Sequence, residues 1–543
     1  MSKDSRMAAT GAAAVMLATL AAPALAQERR VDVLEPSQAT VTGNLRDQPR
    51  VKDWEPGDPI KEIPRRWTRP TPDIPPPPPM VDPLLALQAT RGMTPDSIGA
   101  PILNFNGGGF SGVNPPDTVG DVGSTQYVQL INFNSGSQIR VYDKAGTLVA
   151  GPTALDTLGT TPCNNGLGDP VVLWDQAANR WLLSEFSTSG NRLCVYVSQT
   201  SDATGAYFAY QFTATNFPDY PKYAVWPDAY YVGTNENSPA AYALQRSAML
   251  TGAAAAAQRF IAPDLSGFPF QMLPPADWDG TTAPPGGAPA VFLRHKDSEA
   301  HGSPGAADTL ELFEFHVDFA TPANSTYTGP FSINVAEFDS DLCGLSSFSC
   351  IPQPSGTSPL DPLREIVMHR PQYRNRTTHQ VIVGSFATDI TGTNQAGTRW
   401  FELRKTTGNW SLFQEGTVFT PPTDTTNRWM STIAMDGTGN IAVAYNVSSS
   451  TVFPGLRYTG RLAGDPAGTM GAEQVMIAGT ASNASNRYGD YASINVDPVN
   501  ECTFWMTGEW NSATQWNTRI ATFRFPAGEC IDSPVELLNF SIQ

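Results

Sequence analysis

Carboxylates and guanidiniums recur at one place in this chain, just ahead of short apolar runs. The acids are Asp117, Asp169, Asp219 (followed closely by Lys222) and Asp277; their later counterparts are Arg364, Arg428 and Arg487, the last followed by Asp490. Where a second apolar run ends stand Glu185, Glu236, His295 and Glu509. If each run is a strand in the same setting, these side chains meet on one rim, with an acidic and a basic sector. Such a mouth suits a polar ligand, because guanidinium forks take a carboxylate, sulfate or phosphate in two parallel hydrogen bonds. The same residues can also close the rim by pairing with each other and with strand-end amides.

What would position them is a repeat. The stretch "FPDYPKYAVWPDAYYVGTN" (residues 217–235) reads carboxylate, apolar run, Asp-bearing turn, second apolar run. Its turn residue has counterparts along the chain: Asp121, Asp175, Asp228, Asp279, Asn375, Asp436 and Asp497. Asp and Asn at such turns accept backbone amides and tolerate unusual dihedrals, so Asp175, Asp228, Asp436 and Asp497 are expected to make turns. A period of roughly fifty to sixty residues, with several strands per copy, predicts an all-β, seven-bladed β-propeller of four-stranded antiparallel blades. The last copy supplies three strands. "PILNFNG" (residues 101–107) has strand character and no partner of its own, so it is expected as the fourth strand of the last blade. It would close the ring and leave no open edge.

Composition agrees with short strands joined by turns: 46 Gly, 47 Pro and 16% charged residues. A formal net charge of −17 repels a phosphate backbone, so nucleic acid is not an expected partner. Lys3 and Arg6 precede an apolar stretch ending in Ala24 and Ala26, the pattern of a secretory signal peptide over residues 1–26. No later stretch is long and apolar enough to insert in a bilayer. Residues 27–95, with five consecutive prolines at 75–79, read as a disordered Pro-rich linker; 96–530 would be the propeller and 531–543 a tail.

Six cysteines in an exported chain favour disulfides. Their places in the blades pair Cys163 with Cys194, Cys502 with Cys530, and Cys343 with the nearby Cys350. No cofactor is indicated beyond a structural calcium ion at the D-x-D of "EFDSDLCG" (residues 337–344), which lacks the glycine and terminal glutamate of an EF-hand loop. There is no G-x-S-x-G, H-E-x-x-H or Walker loop. Trp429 and Trp510 lie near strand ends, where they either stack on sugar faces or fill space between blades.

Two segments carry a resemblance: "DYPK…WPD", which holds Asp219, Lys222, Trp226 and Asp228, and "RYTGRLAGDP" (residues 457–466). On these the chain resembles, over about residues 101–530, a group of exported bacterial propeller proteins, and more widely the sialidase-like superfamily of secreted β-propellers. The wider resemblance implies Arg364, Arg428 and Arg487 as a clamp for an anionic ligand, Tyr488 or Tyr491 as nucleophile, Glu509 as its base and Asp117 as the acid. Asp169, Asp219, Lys222 and Asp490 would complete the ligand contacts. The chain departs from sialidases in having no R-I-P segment and no S-x-D-x-G-x-T-W boxes. The expected function is a secreted carbohydrate-active propeller that binds or cleaves an anionic glycan at the top of its channel. The other expectation is a non-catalytic extracellular scaffold held out by the Pro-rich stretch.

Overall fold

The computed structural model describes residues 30–66, 78–91, 98–187, 189–345, 347–354, 358–418 and 423–526. Seven radial sheets form the ring, and their innermost strands are Val119–Val122, Gly168–Asp175, Asp219–Val225, Asp277–Trp278, Gln372–Asn375, Asn427–Met435 and Ser493–Val496. We number the blades 1 to 7 in that order. Neighbouring innermost strands are stapled by side chains that reach across to main-chain amides. Asp121 accepts from the Trp174 N–H at 2.7 Å, Asp277 from that of Val225 at 2.7 Å, and Gln372 from that of Met435 at 2.6 Å. Large rings fill the wedges between blades, among them Tyr127 stacked on Trp505 at 5.0 Å and Trp226 against Tyr373 at 4.9 Å.

The ring closes as the repeat count requires. Leu103–Gly109 pairs antiparallel with Trp516–Phe523, setting Phe105 opposite Ile520 and Asn104 opposite Ala521. Buried Gln129 of blade 1 clasps the join. Its amide nitrogen reaches the hydroxyls of Thr118, Thr507 and Thr518 at 3.2, 2.9 and 3.0 Å, and its oxygen accepts from the Gly108 N–H at 2.8 Å. Gly107 is needed here: a Cβ on it would lie 2.6 Å from that amide and from the Thr518 hydroxyl.

Blade 4 is the irregular one. Its innermost strand is two residues long and pairs in parallel with blade 5, Asp277 opposite Gln372, while Ala290–Lys296, Thr309–His316 and Thr326–Asn334 form its sheet. The extra chain between blades 4 and 5 instead carries the Cys343–Cys350 disulfide and an Ile351–Leu360 bridge. Cys163–Cys194 is also formed. Cys502 is disulfide-bonded, and the Cys530 expected opposite it lies outside the described residues.

The linker reading needs correction over residues 30–66 and 78–91. Asp32–Ser37 adds a fifth strand to blade 3 beside Ala255–Ile261, and Thr40–Val41 a fifth to blade 2 beside Tyr207–Thr213. Lys61–Glu62 pairs in parallel with Val113–Asn114. Helix Pro83–Arg91 follows Asp82, whose carboxylate meets Arg399 at 2.7 Å, and its Gln88 exchanges two hydrogen bonds with the Met470 backbone. Outer blade edges present a row of unpaired amides and carbonyls, so even a short polar segment can dock there without an apolar face. The signal-peptide segment, residues 67–77 and the tail lie outside the described residues. Among the described residues no helix is long and apolar enough to cross a membrane.

Candidate functional site at the channel mouth

Where the innermost strands begin, the backbone is repeatedly forced into the left-handed region. Asp117, Asp169, Tyr220, Met430 and Asp490 have φ of 46°, 52°, 52°, 48° and 59°. In blades 2, 3 and 6 the pairing register slips at this point, between Gly168 and Val171, Asp219 and Lys222, and Trp429 and Thr432. A left-handed non-glycine residue costs about 1 kcal/mol or more, and bulges of this kind re-aim side chains. Here they turn acids, a lysine and tyrosines onto the channel end.

Lys222 is fully buried between two rings, its Nζ 3.3 Å from the Tyr220 centroid and 3.1 Å from that of Tyr491. Tyr491 donates its hydroxyl to Asp169 at 2.8 Å, and Tyr220 donates to the Asp490 carbonyl at 2.7 Å. Asp117 stands close to Asp169. Burial, then the repulsion of Asp169 and Asp490, pushes the Asp117 carboxyl well above the ordinary range. Asp169 is also raised by burial, but Lys222 and the Tyr491 hydroxyl hold it down. Of the two, Asp117 is the more strongly driven toward its neutral form. Burial drives Lys222 well below an ordinary lysine against the pull of Asp169, Asp117, Asp490 and Asp219. His369 is pushed down by burial, then by Lys222 and Arg370. The Asp117 Oδ1 and His369 Nδ1 atoms are buried without a hydrogen-bond partner among the described residues. Asp219 holds its proton up to about 7 through burial and the nearness of Asp169.

Above this centre lies a layer of ion pairs. Arg487 grips Asp490 with both arms, at 3.1 and 2.6 Å, and reaches Asp361 at 3.0 Å. Arg364 pairs with Glu365 at 2.9 Å. Between those two acids sits Arg65, 3.0 Å from Asp361 and 3.1 Å from Glu365. Two of the three expected arginines thus reach one acid pair, joined by Arg65 from the segment ahead of the propeller. Arg428 does not: it lies against Asp424 at 2.9 Å and Glu473 at 2.7 Å. The expected three-arginine clamp is not assembled, because each guanidinium is already committed to carboxylates.

The expected nucleophile and base are not paired either. The Tyr488 hydroxyl bonds the Glu509 backbone carbonyl at 3.4 Å, whereas the Glu509 carboxylate accepts from the Gly489 N–H at 2.5 Å. Burial raises Glu509 well above the ordinary range. Tyr491, not Tyr488, joins the acid pair. Elsewhere on the expected rim, Glu236 binds Arg259 at 2.7 Å and His295 meets the Arg364 carbonyl at 3.0 Å. Asp277 pairs with Arg370 at 2.8 Å, and that same arginine holds the turn residue Asp279 at 2.6 Å, so Asp277 faces the opposite end of the channel. Trp429 is core, its indole donating to the Asp361 carbonyl at 3.0 Å.

Asp361 and Glu365 flank Arg364 in "DPLRE", and that charge cluster was visible in the sequence. Arg65 carries no comparable signal. For a metal, Asp297, Glu299 and Asp308 cluster beside the expected calcium loop. The Asp297 oxygens already accept from the amides of Glu299, Ala300 and Ser340, and those of Asp308 from Ser298 and Phe338. Main-chain donors thus supply the compensation a cation would give.

No protein-family model and no curated protein matches the chain. Among solved structures it is similar to a polysaccharide lyase of the ulvan lyase type, with 11% identity over 78% of this chain and 94% of that one and a TM-score of 0.33. It is also similar to an α-L-arabinofuranosidase from Fusarium graminearum, at 10% identity over 65% and 91% with a TM-score of 0.32. A third is the WD40 domain of SCAP from fission yeast, at 9% identity over 73% and 82% with a TM-score of 0.30. Propeller folds host unrelated activities, so such likeness carries no chemistry across.

Proposed function

We propose that this is an exported, carbohydrate-active propeller whose channel mouth binds a polar glycan, with Asp117, Asp169, Tyr491 and Lys222 as its acid–base centre. The observation that supports it is the buried Lys222, held between Tyr220 and Tyr491, with the Tyr491 hydroxyl on Asp169 and Asp117 close by. A kept proton on Asp117 is what protonation of a leaving oxygen needs, and an amine with a depressed pKa is what proton removal needs. Asp117 is therefore the acid of this centre, and Lys222 is the base. With Arg364, Arg428 and Arg487 already neutralised, no free guanidinium of that set remains for an acidic sugar, which favours a neutral or amino-bearing glycan. Export accords with the disulfides Cys163–Cys194 and Cys343–Cys350 among the described residues, which persist outside the reducing cytosol.

A glycan array and a panel of oligosaccharides, read by reducing-end release, test this with wild type and Asp117→Asn. Turnover should fall at least a hundredfold in the variant while glycan retention persists. No retained glycan and no turnover by the wild type would remove the proposal. The scaffold reading has one observation in its favour: a segment of the chain itself, residues 61–66, lies across the mouth.

A further inference from the structure

The segment "KEIPRR" (residues 61–66) is held over the channel mouth as an extended peptide ligand would be. Its backbone adds a short parallel strand: the Lys61 N–H donates to the Gly112 carbonyl at 2.8 Å and the Ile63 N–H to that of Asn114 at 2.7 Å. The Ile63 carbonyl accepts from Arg487 Nε at 2.9 Å. Glu62 accepts from the Asn114 amide at 2.8 Å and the Ser485 hydroxyl at 2.7 Å. Then Arg65 enters a pocket. Its two guanidinium arms divide between Asp361 and Glu365, and its carbon centre stands 4.1 Å from the Phe348 ring and 5.2 Å from that of Phe270. The following Arg66 lies 3.8 Å over Phe217 and 4.0 Å from Asp219.

Two features distinguish this from ordinary packing. First, the pocket acids are held by partners other than Arg65. Asp361 is fixed by the Leu363 N–H at 3.0 Å and by Arg487 at 3.0 Å, and Glu365 by Arg364 at 2.9 Å. Second, the occupant lies at the surface of the mouth. Alternate residues of 61–66 face solvent, and its sheet pairing spans only two positions. A planar fork between two preset carboxylates, flanked by aromatic rings, is the geometry that selects arginine over lysine. A short strand pairing plus one specific pocket is how extended peptides are read.

We propose that the top of the propeller is a binding groove for an extended, arginine-bearing peptide segment, and that residues 61–66 are the occupant it carries in cis. Displacing them opens the groove to the same chemistry offered in trans and uncovers the Asp117–Lys222 centre beneath. The groove stands whether or not that centre cleaves a glycan.

The test uses the full chain carrying Arg65→Ala, with Arg65→Lys as a second variant that keeps the charge and loses the fork. The probes are ethylguanidinium, ethylammonium and the synthetic hexapeptide Lys-Glu-Ile-Pro-Arg-Arg. Arg65→Ala should melt several degrees below wild type, and ethylguanidinium should restore the loss saturably where ethylammonium does not. The hexapeptide should bind Arg65→Ala at least tenfold more tightly than wild type, and a peptide with lysine at its fifth position should lose that gain. Adding Glu365→Gln to either variant should abolish rescue and binding. The proposal is overturned if ethylguanidinium shifts wild type and variants alike, or if neither variant binds the peptide better than wild type does. Glycan turnover is read separately, so its absence leaves this result intact.

Discussion

Asp219 is a sensitive gauge of the buried mouth. Asn235 donates to its carboxylate at 2.9 Å, Arg66 lies 4.0 Å away and Lys222 is near, and all three favour the charged form. Burial and Asp169 outweigh them, moving the pKa from 3.8 to about 7. The unfolded chain therefore releases this proton near 3.8 while the folded chain keeps it to about 7. The contribution to stability is complete below the lower value and is lost as pH rises through the upper one. At about 1.4 kcal/mol per pH unit, a single such group gives up about 2–3 kcal/mol between pH 5 and pH 8. Asp219→Asn cannot ionise and still offers Asn235 an acceptor oxygen. Urea unfolding of wild type and variant at both pH values should show the variant gaining about 2–3 kcal/mol on wild type at the higher pH. Buried His295 and His301, held down to about 3 and 4, pull the other way below pH 6.5, but they are common to both proteins and cancel in the comparison. Parallel profiles, or a variant that loses ground at pH 8, would refute the argument that burial governs this carboxyl.

Gln129→Leu strands the Gly108 amide and takes an amide partner from three threonine hydroxyls at the ring join. It should cost about 2–4 kcal/mol by thermal or chemical unfolding, and a loss under about 0.5 kcal/mol would mean the clasp is redundant. Replacing both Cys163 and Cys194 by serine opens a loop with a sequence separation of 31. That should cost about 3.5 kcal/mol on the loop-entropy scale, measured under non-reducing conditions against wild type.

The repeat was readable because turn chemistry is local. Asp436 accepts from the amides of Thr438, Gly439 and Asn440 at 2.8, 2.9 and 3.0 Å, all within its own hairpin. The closing strand was readable because an incomplete last blade leaves an edge that must be met. Arg364, Arg428 and Arg487 hold equivalent places in the repeat, yet Arg428 turns to Glu473 because the outer chain of blade 6 brings that acid within reach. Repeat position fixes a Cα, not a side-chain partner. Asp175 was expected to make its turn and does accept from the Ala178 amide at 3.0 Å, but it also receives the fork of Arg246 and the Tyr230 hydroxyl from the next blade. Residues 30–66 were misread since their strands carry little apolar pattern; what orders them is the free edge of someone else's sheet. Arg65 is buried by a pocket nearly three hundred residues away in the chain, and no local rule reports that.

The join between Leu103–Gly109 and Trp516–Phe523 also has a meaning in time. Asn104 waits for Arg519, a partner 415 residues later in the chain, so a strand made before every innermost strand of the ring is among the last to be paired. Until then both ends of the ring are open sheet edges, the kind of surface that invites pairing with other chains. Contacts this distant in sequence slow folding, and a protein assembled this way gains its full resistance to unfolding only once residues 516–523 have been made.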